Sequence, residues 1–86
     1  MREYIELYVF DSDTGDVENI FLFFDQIKAF VVKKDQYSPG WVAEAHTTDT
    51  VYEICKNSRG GNFKTKREAK EHVKGLEVKI WETRDL

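Results

Sequence analysis

The stretch from Trp41 to Leu76 constrains the fold more than any other part of the chain. It follows a Pro39-Gly40 pair and reads as two short strands, a Gly60-Gly61 loop and a helix. Thr65-Lys66-Arg67-Glu68 has the S/T-x-x-E form of a capping box, in which each end residue satisfies an orphan backbone N–H of the other. Gly75 stands where a left-handed residue would close the helix, so the pattern predicts a helix over about residues 66–74. Ala69, Val73 and Leu76, four and three apart, form its apolar stripe. A helix that short needs a surface to lie on, and the segments around it are built as strands.

Residues 3–10 alternate, with Ile5, Leu7 and Val9 on one face and Tyr4, Glu6, Tyr8 and Phe10 on the other. Asp11–Asp16 is turn chemistry, and Gly15 is free to take positive φ there. The run Ile20–Phe24 is apolar on both faces and ends at Asp25-Gln26. A strand over about 28–33 follows at once, so the chain bends sharply around 25–27. Tyr37-Ser38-Pro39-Gly40 fits a type II turn. Strands near 41–46 and 51–56 flank a polar connection, Thr47–Thr50. Residues 77–82 alternate once more, Val78 and Ile80 against Lys79 and Trp81, and predict a last strand. The order is β-β-β-β-β-α-β. It describes one α+β domain over 1–86: a twisted antiparallel sheet of five or six strands with one helix on one face, either open or half closed into a barrel.

Charge is distributed unevenly along the 86 residues. Residues 1–27 hold Arg2 against seven acids, a balance of −6, whereas residues 56–74 hold seven bases against Glu68 and Glu71, a balance of +5. Such separation steers charged partners without bearing on fold. The single cysteine, Cys55, rules out an internal disulfide and a Cys-based zinc site. No apolar run reaches the roughly 18 residues of a membrane span, and the first residues lack the apolar stretch of a signal peptide. A reducing cytoplasm is the simplest compartment, with no membrane partner.

Chemical signatures are sparse. Asp11, Asp13, Gly15 and Asp16 have the look of a calcium loop, but Gly and the fifth-position ligand are exchanged and Leu22 replaces the bidentate Glu. His46, Cys55 and Asp49 are the residues that could form a nucleophile with its base, which needs mutual hydrogen-bond reach. Cys55 reads more simply as a small buried hydrophobe, and His72 as a helix-flank residue. No catalytic, metal or cofactor site is expected.

Two surfaces remain. Lys66, Lys70 and Lys74 repeat at i, i+4 and i+8, with Arg67 beside them and Arg59 and Lys64 in the preceding loop. A helix start with free N–H groups and cations suits a phosphate, carboxylate or nucleic acid. Against this, Glu71 pairs with Arg67 at i, i+4 and the sequence pI is about 5.3. The other surface is aromatic. With the aliphatic side chains facing the helix, Tyr4, Tyr8, Phe10, Phe21, Phe23 and Trp81 fall on the opposite side. A single short helix covers one face of such a sheet. The sheet then curls to use both faces, or the rings form an interface with a protein partner or with a second copy in a homodimer.

Trp41-Val42-Ala43, then Val51-Tyr52 with Ile54, then Phe63, Thr65 and Ala69 carry a resemblance. Over residues 41–76 the chain resembles small uncharacterised bacterial and phage proteins in which a W-x-V-type strand, a hairpin and an aromatic-x-T helix start recur. That resemblance implies an antiparallel sheet with a helix on one face, and a phage or mobile-element product that engages a host protein. It implies no activity. The sequence therefore points to a non-catalytic binding protein acting through protein–protein contacts, with nucleic-acid or phosphate binding at 56–74 as the alternative.

Overall fold

Alternation of apolar and polar residues builds the first two strands, β1 (Tyr4–Phe10) and β2 (Val17–Phe23), which pair antiparallel in one continuous register, Ile5 opposite Leu22 and Leu7 opposite Ile20. The structure is a computed structural model that describes residues 4–84, with side chains to residue 80. Three further strands, β3 (Ile27–Lys34), β4 (Trp41–Thr47) and β5 (Val51–Ile54), complete an antiparallel sheet of order β2-β1-β5-β4-β3. One helix, α1 (Lys66–Arg84), follows. The architecture is α+β, as the sequence predicts.

The turn Phe24–Gln26 joins β2 directly to β3, although these are opposite edges of the sheet. Phe23 to Ile27 spans at most about 14 Å, whereas four flat strand spacings are about 19 Å. The sheet must therefore coil until its two edges meet at this corner. No ladder joins β2 to β3, so it stays open and the half-barrel alternative does not go to closure. Coiling makes the inner face concave, and Ile5, Leu7, Val9, Leu22, Ala43, Ala45 and Ile54 line it as a buried core with Phe24 and Phe63. The helix lies on this face against β1, β3 and β4, through Ala69, Val73 and Leu76.

Two local expectations are corrected. The helix does not stop at residue 74, and residues 77–82 are its second half instead of a sixth strand. Ala69, Val73, Leu76 and Ile80 continue one stripe at helical spacing, whereas Val78 is 43% exposed on another side. The burial won by Leu76 and Ile80 exceeds the roughly 1 kcal/mol lost by placing Gly75 mid-helix. The capping box is also half made. Thr65 Oγ1 accepts the Glu68 N–H at 3.1 Å, but the Glu68 carboxylate turns to the Lys56 ammonium at 2.5 Å.

The Pro39-Gly40 turn is closed from outside. Gly40 takes φ +127°, and the Asp35 N–H donates to its carbonyl. A Cβ on Gly40 would stand 2.9 Å from the Phe63 carbonyl oxygen, because Trp41 and Phe63 exchange backbone hydrogen bonds there. This bridge carries the chain from β5 to the helix start.

Candidate binding surface

The outer face of the β1–β2 hairpin follows from the register. Tyr4 stands opposite Phe23, Glu6 opposite Phe21, Tyr8 opposite Asn19 and Phe10 opposite Val17, all directed away from the helix. Phe21 is 58% and Phe23 55% exposed, Tyr4 and Phe10 are each 41% exposed, and Tyr8 is half-buried. Tyr4 packs edge-on against both phenylalanines, with centroid distances of 5.4 Å to Phe21 and 6.2 Å to Phe23. Five of the six rings expected to share a surface thus share one. The sixth, Trp81, belongs to the helix and not to a strand, and its side chain lies outside the described residues.

Polar groups border these rings. Asn19 donates to Glu6 at 2.7 Å within the patch. On the adjoining strands of the same face, Glu44 stands directly opposite Glu53. Glu44 accepts from Lys33 at 3.0 Å and lies 3.0 Å from His46 Nε2. Burial would raise its pKa, but these partners outweigh it and hold the carboxyl below its ordinary value. Among the described residues Glu53 has no hydrogen-bond or ion-pair partner, and the Lys33 charge acts on it only weakly. Burial pushes its carboxyl up, and the charges of Asp35 and Glu44 push it further.

An open cleft of about 580 Å³ lies beside Phe10 and Glu53, under the loops that carry Asp35, Tyr37 and Pro39 on one side and Gly61 and Asn62 on the other. Asp35 ties the two loops together. Its carboxylate accepts from the Tyr37 N–H at 2.9 Å, the Ser38 hydroxyl at 2.7 Å and the Asn62 side-chain amide. The Tyr37 and Ser38 bonds hold its pKa below the ordinary value. The Asp35–Asn62 bond and the Glu44–Glu53 pairing join residues that sequence alone does not bring together, whereas the Asp35 bonds to Tyr37 and Ser38 are local to the loop.

The basic segment forms on the helix as its spacing requires, and Lys56, Lys66 and Arg67 have local partners. The Lys66 ammonium sits 5.5 Å above the Trp41 ring. Arg67 Nε donates to Glu71 at 3.2 Å. Glu68 draws in Lys56 first and Lys64 more weakly, which keeps its carboxyl below the ordinary value. Lys70 and Lys74 flank a shallow groove floored by Phe30, Val32 and Val73. In the loop, the Arg59 backbone N–H donates to Asn57 Oδ1.

The register separates the residues considered for nucleophilic chemistry. His46 pairs with Val51 at one end of β5, whereas Cys55 follows the other end and donates its N–H to the Tyr8 carbonyl. Cys55 is buried, and burial together with Glu53 raises its thiol pKa, which opposes thiolate formation. In the acidic turn, Asp11 Oδ1 accepts the Asp13 N–H and the Asp11 carbonyl accepts the Gly15 N–H. Among the described residues, no three His, Cys, Asp or Glu side chains converge to hold a metal ion. Nor is any described helix long and apolar enough to cross a membrane. No family model, curated protein or solved structure matches the chain.

Proposed function

We propose that this protein is a non-catalytic binding module that engages a protein partner through the outer face of its β1–β2 hairpin. The observation that carries this reading is the cluster in which Tyr4 contacts both Phe21 and Phe23, all three exposed, with Phe10 exposed further along the face. Exposed large apolar residues are ordinary when scattered; gathered on one face and bordered by carboxylates, they have the composition of an interface. Docking would remove several rings from water, at about 25 cal/mol per Å² of apolar surface. Origin in a phage or mobile element rests on the resemblance over residues 41–76. Phosphate or nucleic-acid binding at Arg59–Lys74 is the rival, and the ties of Lys66, Arg67 and Lys56 to Trp41, Glu71 and Glu68 weigh against it.

Photo-crosslinking in the source cells tests the assignment. A benzoyl-phenylalanine at Phe21 or Phe23 is expected to form adducts with one defined protein, foreign or a second copy. The same group at Lys70, on the helix, is expected to form none. Adducts from the helix position alone would refute the aromatic face as the binding surface.

A further inference from the structure

The two edges of the sheet are protected unequally. On β3 the free edge carries Lys28, Lys33 and Lys34, and its register slips between Ile27 and Ala29. Lysines and irregular pairing are among the devices that keep an edge strand from pairing with another chain. None of them protects β2, which has no Lys, no Pro and no register shift, and bears Glu18 as its one charged side chain. Apart from Leu22, each of its residues is exposed or half-buried.

The free hydrogen-bonding groups of β2 can be assigned. The Asp11 N–H donates to Asp16 and the Cys55 N–H to Tyr8, so Ile5, Leu7 and Val9 bond toward β2 while Tyr8 and Phe10 bond toward β5. Glu18, Ile20 and Leu22 therefore return those bonds, and the backbone groups of Val17, Asn19, Phe21 and Phe23 point outward. Gln26 Oε1 takes the Phe23 N–H at 3.1 Å, as an outward donor requires. Gly60 crowds Val17. Asn19 and Phe21 are left at the centre of the strand, and among the described residues nothing bonds to their outward backbone groups.

We propose that β2 pairs antiparallel with β2 of a second copy about a two-fold axis at Ile20, with Asn19 of each chain bonded to Phe21 of the other. This deepens the reading of the aromatic hairpin as the binding surface, since it names the partner. The register is self-complementary. Half-buried Ile20 meets its own copy on the inner side, and each Phe21 comes diagonal to the other on the outer side, within reach of an aromatic ring. Glu18 stands opposite Leu22, so no like charges meet across the axis. The acidic turns Asp11–Asp16 go to opposite ends of the joint. They still repel at long range, so the dimer tightens as salt rises, whereas a basic foreign partner on this face would be weakened.

The test combines sedimentation equilibrium over a concentration series with amide hydrogen exchange on the full chain. A dimer is expected, and the Asn19 and Phe21 amides should exchange about tenfold more slowly at high concentration than at low. Asn19→Pro removes an outward N–H that β1 does not use, and should give a folded monomer. If that variant misfolds, Phe21→Lys, which places a lysine on the edge, decides the matter by the same loss of dimer. A monomer at every concentration overturns the pairing yet leaves the aromatic face open to a foreign partner. A dimer that survives a folded Asn19→Pro but not Phe21→Lys would mean face-to-face stacking of the rings, which overturns edge pairing and keeps the aromatic reading. Survival of the dimer in both variants, with no amide protection, overturns the proposal.

Discussion

Glu44 and Glu53 face each other directly across β4 and β5, and only Glu44 is neutralised. The Thr47 N–H donates to the Thr50 carbonyl, which makes the alternate pair 44–53 a non-hydrogen-bonded one, where side chains stand closest. Lys33 and His46 both attend Glu44. Glu53 is thus a half-buried carboxylate held beside like charge, next to the cleft at Phe10.

Glu53→Gln is expected to stabilise the protein at neutral pH. Like charges directly opposite on a sheet cost roughly 0.2–1 kcal/mol, and the amide keeps the shape while removing the charge. The sign follows from the raised pKa. The ionised form opposes folding, so the cost is present at neutral pH and disappears as pH falls and the carboxyl takes its proton. Urea midpoints at neutral and acidic pH check this, and the gain should shrink on acidification. A destabilised variant at neutral pH would mean that Glu53 makes a favourable contact as an anion.

Thr65 anchors the helix through one bond, from the Glu68 N–H to its hydroxyl, with the Ala69 N–H donating to its carbonyl. Thr65→Ala removes the first and leaves the second, at a cost of about 1 kcal/mol. Thr65→Ser should recover most of it. Equal denaturant midpoints for parent and Thr65→Ala would exclude the cap.

The parts of this fold that were legible from sequence are those set by neighbours in the chain. Alternation over residues 3–10 gives β1 and its two faces, and Thr65 followed by Glu68 gives the helix start. The exposed rings follow from the same alternation, because Tyr4 and Phe10 cannot share a face with Ile5 and Val9. Sequence places the end of the helix too early because Gly75 carries a strong stop signal, and Val78 with Ile80 imitates a strand. Both signals are local, and burial of Leu76 and Ile80 on a sheet formed from distant strands overrides them. Sheet order was illegible for the same reason. Nothing near Phe24–Gln26 shows that it joins opposite edges, and hence that the sheet must coil.

Asp35 is the polar hub of the sheet's loop end, and its bonds exist fully only for the carboxylate. Asp35→Ala frees Tyr37, Ser38 and Asn62 together, and should lower the thermal midpoint and speed proteolysis in both loops. A depressed pKa means that the contribution is complete above the ordinary Asp value of 3.8 and is lost as pH falls below it through the folded-state value. The gap between parent and variant should therefore hold from neutral to mildly acidic pH and close only under strong acid. A gap that closes already near neutrality would assign the effect to another group.

Gly75 separates two accounts of the C-terminal third. Were it a left-handed helix end, Gly75→Ala would strain the backbone and destabilise the protein. Here it lies inside α1 without positive φ, and a Cβ built on it meets nothing within 4 Å. Alanine then adds no clash, and it spares the helix the entropy that glycine loses on folding. The expected gain is about 0.5–1 kcal/mol, seen as a higher urea midpoint with unchanged slope. Far-UV circular dichroism should keep or slightly increase its helical signal. A lower midpoint would place the end of the helix at residue 75 and restore the strand that alternation over 77–82 predicts.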